Sequence, residues 1–173
     1  MLYPRVMGDA FFDLPAPLQA FHAVENTIFY KGHVTVTHGN ALSRMIAKSG
    51  GMPSKSGEMP FSFRATRDGK SEIWERNFDG HMTRSLQWLH SDGVVAERVG
   101  TSAFLMQPRV DGDKLRIPII GLRGFGLPMP SWVLSSAEGV EGVTQDGKIT
   151  FDVHASVRGL GLIIRYKGAL SPA

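Results

Sequence analysis

Two periodicities divide the chain. In the first third, apolar residues recur at helical spacing. Leu14, Leu18 and Phe21 line one face of a segment running to about Glu25, with Asp13 as its N-cap and Pro15 in the first turn, where a missing N–H costs nothing. A second helix starts at Asn40, carries Leu42, Met45 and Ile46 on one stripe, and stops at Gly50-Gly51. Between them, Thr27 to Thr37 alternates Ile28, Tyr30, Val34 and Val36 with polar residues. It reads as a strand in which Gly32 marks a bend or a close approach.

From Pro60 onward the period is two. Asp-Gly pairs at 68–69, 79–80, 92–93, 111–112 and 146–147 are spaced as hairpin turns, because both residues tolerate the positive φ that tight turns demand. They separate strands at about 61–67, 71–78, 81–90, 94–99, 102–110, 114–120, 139–145, 148–155 and 161–168. The clearest alternation sets Ile149, Phe151 and Val153 against Lys148, Thr150, Asp152 and His154, one face in a core and the other in water. A long, strongly twisted antiparallel sheet curls to remove its edges. The predicted class is therefore mainly β (α+β): a curved antiparallel sheet or barrel-like meander, residues 1–173 in one domain, with two N-terminal helices packed on it. A barrel of this size either holds one small ligand or is filled by its own side chains, and the pattern does not separate the two. Lys48 to Pro60 has linker composition and is expected as a mobile loop between the helical start and the sheet.

One stretch breaks the ordinary pattern. The hairpin Ser71 to His90 is read with Trp74, Phe78, Met82, Leu86 and Trp88 on one face, together with Arg76 and Arg84. A buried guanidinium without a partner costs several kcal/mol, so something must compensate. Either an internal carboxylate such as Glu97 or Glu141 does so, or the heads reach solvent at a barrel mouth, or an anionic ligand head is held with Trp74, Phe78 and Trp88 covering its apolar remainder. A bulge near Asn77 would instead move Arg76 outside. The candidate ligand-binding residues are accordingly Trp74, Arg76, Phe78, Arg84 and Trp88.

Composition narrows the chemistry. The 19 basic and 16 acidic residues are scattered and leave only +3, so no phosphate-backbone surface is indicated and nucleic acid is not an expected partner. Absence of cysteine removes disulfides, thiolate metal sites and thiol catalysis. The start of the chain has Pro4, Arg5, Gly8 and Asp9 where a signal peptide needs an apolar run, which makes a cytoplasmic location the expectation. Ile117 to Leu134 is long enough to span a bilayer, but its prolines, glycines and Arg123 argue for a structured loop rather than a transmembrane helix. That loop, with its Pro/Trp cluster around Trp132, reads as a barrel plug, a ligand lid or a membrane-touching surface.

Phosphate cradles and a nucleophile elbow fail on spacing, and no cofactor is expected. His33 and His38 face opposite sides of a continuous strand, so no metal site is expected either. His22 beside Phe21 reads first as a histidine hydrogen-bonded to the sheet and second as an acid/base group. Glu72, Glu75, Glu97, Glu138, Glu141 and Asp152 are numerous enough for a carboxylate pair, but spacing does not say which two converge.

Read in order, Leu14-Pro15, His22, Gly51-x-Pro53, Gly57-x-x-Pro60, Trp74-x-Arg76-x-Phe78, Glu97-Arg98-x-Gly100, Pro128-x-Pro130-x-Trp132, Glu141 and Tyr166-Lys167-Gly168 resemble the bacterial domain of unknown function numbered 4166. The resemblance spans nearly the whole chain and implies no activity. Related domains stand alone or are attached to other modules, including a saccharopine-dehydrogenase-like reductase, so it implies association with a reductase-type module. It also puts Trp74-x-Arg76-x-Phe78 inside the family pattern, in which Arg84 has only a loose place. The expectation is a domain binding a small amphipathic or lipid-like molecule. The alternatives are a small-molecule enzyme using His22 or a carboxylate in the same cavity, and an accessory domain docking a protein through Trp132.

Overall fold

The computed structural model describes residues 1–124, 127–130 and 133–173, and its helical start is longer than the pattern predicts. α1 (Leu2–Met7), a 3₁₀ turn (Gly8–Asp13) and α2 (Ala16–His22) follow one another. Asp13 does not cap α2. It ends the 3₁₀ turn, and Pro15 stands at the N-cap without a side-chain hydrogen bond. Pro4 and Gly8 confine α1 to too few residues for a helical period to show.

The strands are β1 (Thr27–His38), β2 (Gly57–Asp68), β3 (Ser71–Phe78), β4 (His81–Ser91), β5 (Val94–Val99), β6 (Ser102–Met106), β7 (Arg109–Asp111), β8 (Lys114–Gly124), β9 (Leu127–Pro128), β10 (Leu134–Val143), β11 (Ile149–Val157) and β12 (Gly161–Pro172). α3 (Ala41–Ser49) sits between β1 and β2, with Asn40 accepting from the Ser43 N–H at 3.0 Å. All five Asp-Gly pairs stand at or beside hairpin turns. Asp79 and Gly80 both adopt positive φ, 51° and 91°, so the turn has two residues and Phe78 lies opposite His81. The predicted 102–110 segment breaks into β6 and β7 around Gln107-Pro108, because proline cannot donate to the ladder.

Neighbours pair antiparallel in the order β10-β11-β12-β1-β2-β3-β4-β5-β6-β8, and β8 pairs back onto β10. The wall is therefore a closed ten-stranded barrel, with β7 and β9 as short additions to β8. Closure requires strands to coil tightly at one place. A Cβ on Gly32 would lie 1.9 Å from the Ala169 carbonyl oxygen, and one on Gly168 2.1 Å from that of His33. Gly32 is thus a close approach between β1 and β12.

The two ends differ. Leu2, Tyr3, Val6, Phe11, Leu14, Leu18, Phe21 and Val24 are buried and seal the end where β1 begins. At the other end α3 packs on β12 and its following loop crosses to β4, where the Gly51 carbonyl accepts from His81 Nε2 and Thr83 Oγ1 at 3.0 and 2.9 Å. His38 holds the same loop: Nε2 donates to the Pro53 carbonyl at 2.9 Å and Nδ1 accepts from Ser56 at 2.8 Å. The segment expected to be a mobile linker is an anchored strap, and its last residues, from Gly57, belong to β2. The stripe Leu42, Met45, Ile46 is also turned around: α3 buries Ser43 and Ala47 and presents those three to solvent. No helix among the described residues is long and apolar enough to cross a membrane.

Candidate functional site

The two-residue turn at Asp79-Gly80 dictates which side chains share the barrel interior. Because Phe78 faces His81, Arg76 lies opposite Thr83 and Trp74 opposite Ser85, so even-numbered residues of β3 share a face with odd-numbered residues of β4. Glu72, Trp74, Arg76 and Phe78 point inward, joined by Thr83, Ser85 and Gln87. Arg84, Leu86, Trp88 and Met82 occupy the outer face, where Arg84 lies opposite Glu75. Of the five predicted residues the structure brings together Trp74, Arg76 and Phe78 and leaves Arg84 and Trp88 outside. The face predicted for β4 is the wrong one, since it ignores the odd-even exchange that a two-residue turn imposes.

Arg76 finds its partner on β5. Nη2 donates to Glu97 Oε1 at 3.0 Å and Nη1 to Ser85 Oγ at 3.0 Å, and the guanidinium carbon lies 5.2 Å from the Trp74 ring centroid. Both charged side chains are nearly enclosed, 12% and 10% exposed. Burial works against the Arg76 charge, but Glu97 and Tyr166 outweigh it and its pKa stands above the usual arginine value. The internal carboxylate is therefore the compensating device, Glu97 rather than Glu141.

Glu141, on β10, takes a different partner. Its Oε2 lies 2.5 Å from His22 Nε2, at the end of α2, and His22 is wholly buried between the rings of Tyr3, Phe21 and Trp74. Glu72 accepts from the Leu2 N–H at 2.9 Å and from Trp74 Nε1 at 3.1 Å, tying α1 to the barrel floor. Pattern reasoning missed Tyr3 and Gln87 and offered Glu72 only as one of six carboxylates: Tyr3 lies in an unpredicted helix, and the other two take their inward aim from the strand register.

Around these groups lies a central cavity of about 160 Å³, with a smaller one of about 50 Å³ beside it that shares Trp74, Arg76, Glu141, Val153 and Tyr166. Phe104, Met106, Ile117, Ile119 and Ile164 form its apolar wall, Tyr3 its floor, and Met52 of the strap its roof. Two cavity-lining residues carry fully buried atoms with no hydrogen-bond partner among the described residues: Tyr3 Oη and Gln87 Oε1. Burial first, then the charges of Glu141, Glu97 and Glu72, push the Tyr3 phenol well above its usual pKa, so it stays a neutral donor. Tyr166 is raised as well, by burial against the opposing pull of Arg76. No group of three or more His, Asp or Glu gathers as metal ligands among the described residues. His33 is exposed on β1, while His38 is committed to the strap. Trp132, named for protein docking, lies outside the described residues.

A closed antiparallel barrel sealed by helices at one end, strapped at the other and lined by paired charges around a small void defines the class of this protein. The chain belongs to the family described as Domain of unknown function (DUF4166), whose profile matches residues 14–170. No curated protein sequence matches it. Among solved structures it is similar to Rv2717c from M. tuberculosis, at 10% identity and a TM-score of 0.46, over 92% of this chain and 99% of that one.

Proposed function

We propose that the barrel binds a small, uncharged amphipathic molecule in its central cavity. The observation that carries this reading is that two residues lining the cavity, Tyr3 and Gln87, each carry a buried polar atom, Oη and Oε1, with no partner among the described residues. Each costs roughly 1–3 kcal/mol when left without a partner, which a ligand carrying one acceptor and one donor would recover. The apolar remainder would lie against Phe104, Met106, Ile117 and Ile119. A cavity of about 160 Å³ suits a ring or short chain of benzene size rather than an extended lipid tail.

The polar end is uncharged for an electrostatic reason. Arg76 is already matched by Glu97, and Glu141 and Glu72 add further carboxylates to the same interior, so an anionic head would meet no free cation there. The acid/base reading is weaker because His22 Nε2, Glu72 and Glu97 already have protein partners, and His22, whose buried Nδ1 has none among the described residues, does not line the cavity.

The test is calorimetric titration with benzyl alcohol and benzoate, alongside native mass spectrometry of freshly purified protein. Saturable binding of the alcohol, weakened by Gln87→Leu, is expected. Tighter binding of benzoate would remove the uncharged-head assignment. Absence of both retained mass and saturable binding would sink the cavity reading altogether.

A further inference from the structure

The strapped end of the barrel carries a surface that the cavity does not explain. α3 buries Ser43 and Ala47, 0% and 4% exposed, and leaves Leu42, Met45 and Ile46 at 48%, 65% and 39%. A helix on a globular protein ordinarily does the reverse, since turning its apolar stripe inward removes that area from water. The exposed apolar set continues at Leu127, 69% exposed, and Met129, 40%, beyond β8. Up-and-down topology gathers these groups at one rim, because the β1–β2 and β8–β10 connections lie at the same end.

Charge is gathered there too. Residues 39–57 contain Arg44, Lys48 and Lys55 and no acid, and residues 121–134 contain Arg123 and no acid; three plus one is +4, against +3 for the whole chain. Lys55 is paired with Asp79, whereas Arg44, Lys48 and Arg123 have no ion-pair partner among the described residues. The strap fixes the arrangement, since its Gly51 carbonyl is bonded to β4 and His38 clamps Pro53 and Ser56.

The geometry points to a docking surface for an anionic lipid bilayer, with Met45, Ile46 and Leu127 entering the boundary between headgroups and acyl chains and Arg44, Lys48 and Arg123 meeting the lipid charges. Apolar side chains raised on separate elements and interleaved with unpaired cations match a fluid, negatively charged interface. This inference does not rest on the cavity's occupant. Vesicle binding is measured without added ligand, so either reading can fail alone.

The experiment is flotation of the full chain with vesicles of phosphatidylcholine alone and of phosphatidylcholine mixed with phosphatidylglycerol, at low and high salt. Binding to the mixed vesicles that weakens with salt is expected. A Met45→Gln/Ile46→Gln variant should lose roughly tenfold in partitioning. Arg44→Gln and Lys48→Gln should each lose about fivefold. All should keep the wild-type melting temperature, because the replaced side chains are on the surface. The proposal is overturned if the wild-type chain stays off mixed vesicles at low salt, or if the Met45/Ile46 variant binds as well as wild type. Light scattering that shows these residues sealing a dimer of this chain would overturn it equally.

Discussion

Removing one member of the Arg76–Glu97 pair probes how tightly the barrel interior is sealed. Glu97→Leu takes away the carboxylate 3.0 Å from Nη2 and leaves the guanidinium with the Ser85 hydroxyl and the Trp74 ring. Neither carries a charge, and a desolvated cation–π contact returns about 2 kcal/mol, less than the lost ion pair. Because only 12% of the Arg76 side chain reaches solvent, the stranded charge should cost about 3–5 kcal/mol, the range for breaking a buried pair from one side. Arg76→Met strands Glu97 and should cost a similar amount. The double replacement leaves no buried charge, so it should lie near wild type or above it, giving a coupling energy of roughly 3 kcal/mol or more. Urea unfolding followed by circular dichroism measures all three, and each single variant should melt roughly 10 °C lower. A loss below about 1 kcal/mol for Glu97→Leu would mean that the guanidinium escapes past Met52 to water, and the sealed-interior argument would fail.

The other predictions concern the same interior and its wall. Gln87→Leu and Tyr3→Phe each remove an atom that has no partner among the described residues, so stability should hold or rise by up to about 1 kcal/mol while ligand binding weakens; a loss of several kcal/mol in either would reveal a hydrogen bond there. Tyr3 and Tyr166 both have raised folded-state pKa values, so they stay protonated in the barrel while the unfolded chain ionises. The stability this provides is complete below pH 10 and is lost as pH rises above it, by about 1.4 kcal/mol per pH unit for each tyrosine. An alkaline denaturation series should show that slope, reduced in Tyr3→Phe, and a flat profile would contradict it. Gly168→Ala would place a methyl 2.1 Å from the His33 carbonyl oxygen and 2.9 Å from Phe151 Cζ, and should cost more than about 3 kcal/mol by chemical denaturation. A near-neutral result would show that β1 and β12 can separate.

Much of the scaffold was legible in short-range pattern. Five Asp-Gly pairs and the alternation between them marked the hairpins, since a two-residue turn and a half-buried strand leave local signatures. The site was legible only in part. Arg76 stands out as a charge among aromatics, and Glu97 is one of the two internal carboxylates the pattern offers it. Hydrophobicity puts Arg84 and Trp88 on the wrong face of β4, where the barrel buries Thr83, Ser85 and Gln87 and leaves Leu86 and Trp88 on the outer wall. The odd-even count across Asp79-Gly80 was available in the sequence and would have corrected this.

Sequence alone determined the turns, the strand periods and the start of α3 at Asn40, and narrowed Gly32 to a bend or a close approach, because each depends on a few neighbouring residues and their preferred backbone angles. Tertiary structure decided the rest. Only closure of β8 onto β10 brought Glu141 to His22 and enclosed a void floored by Tyr3, and only packing on β12 turned α3's apolar stripe outward. These outcomes join residues up to 119 positions apart. Their energies come from contacts and desolvation that exist only once the wall has closed, so no local pattern encodes them.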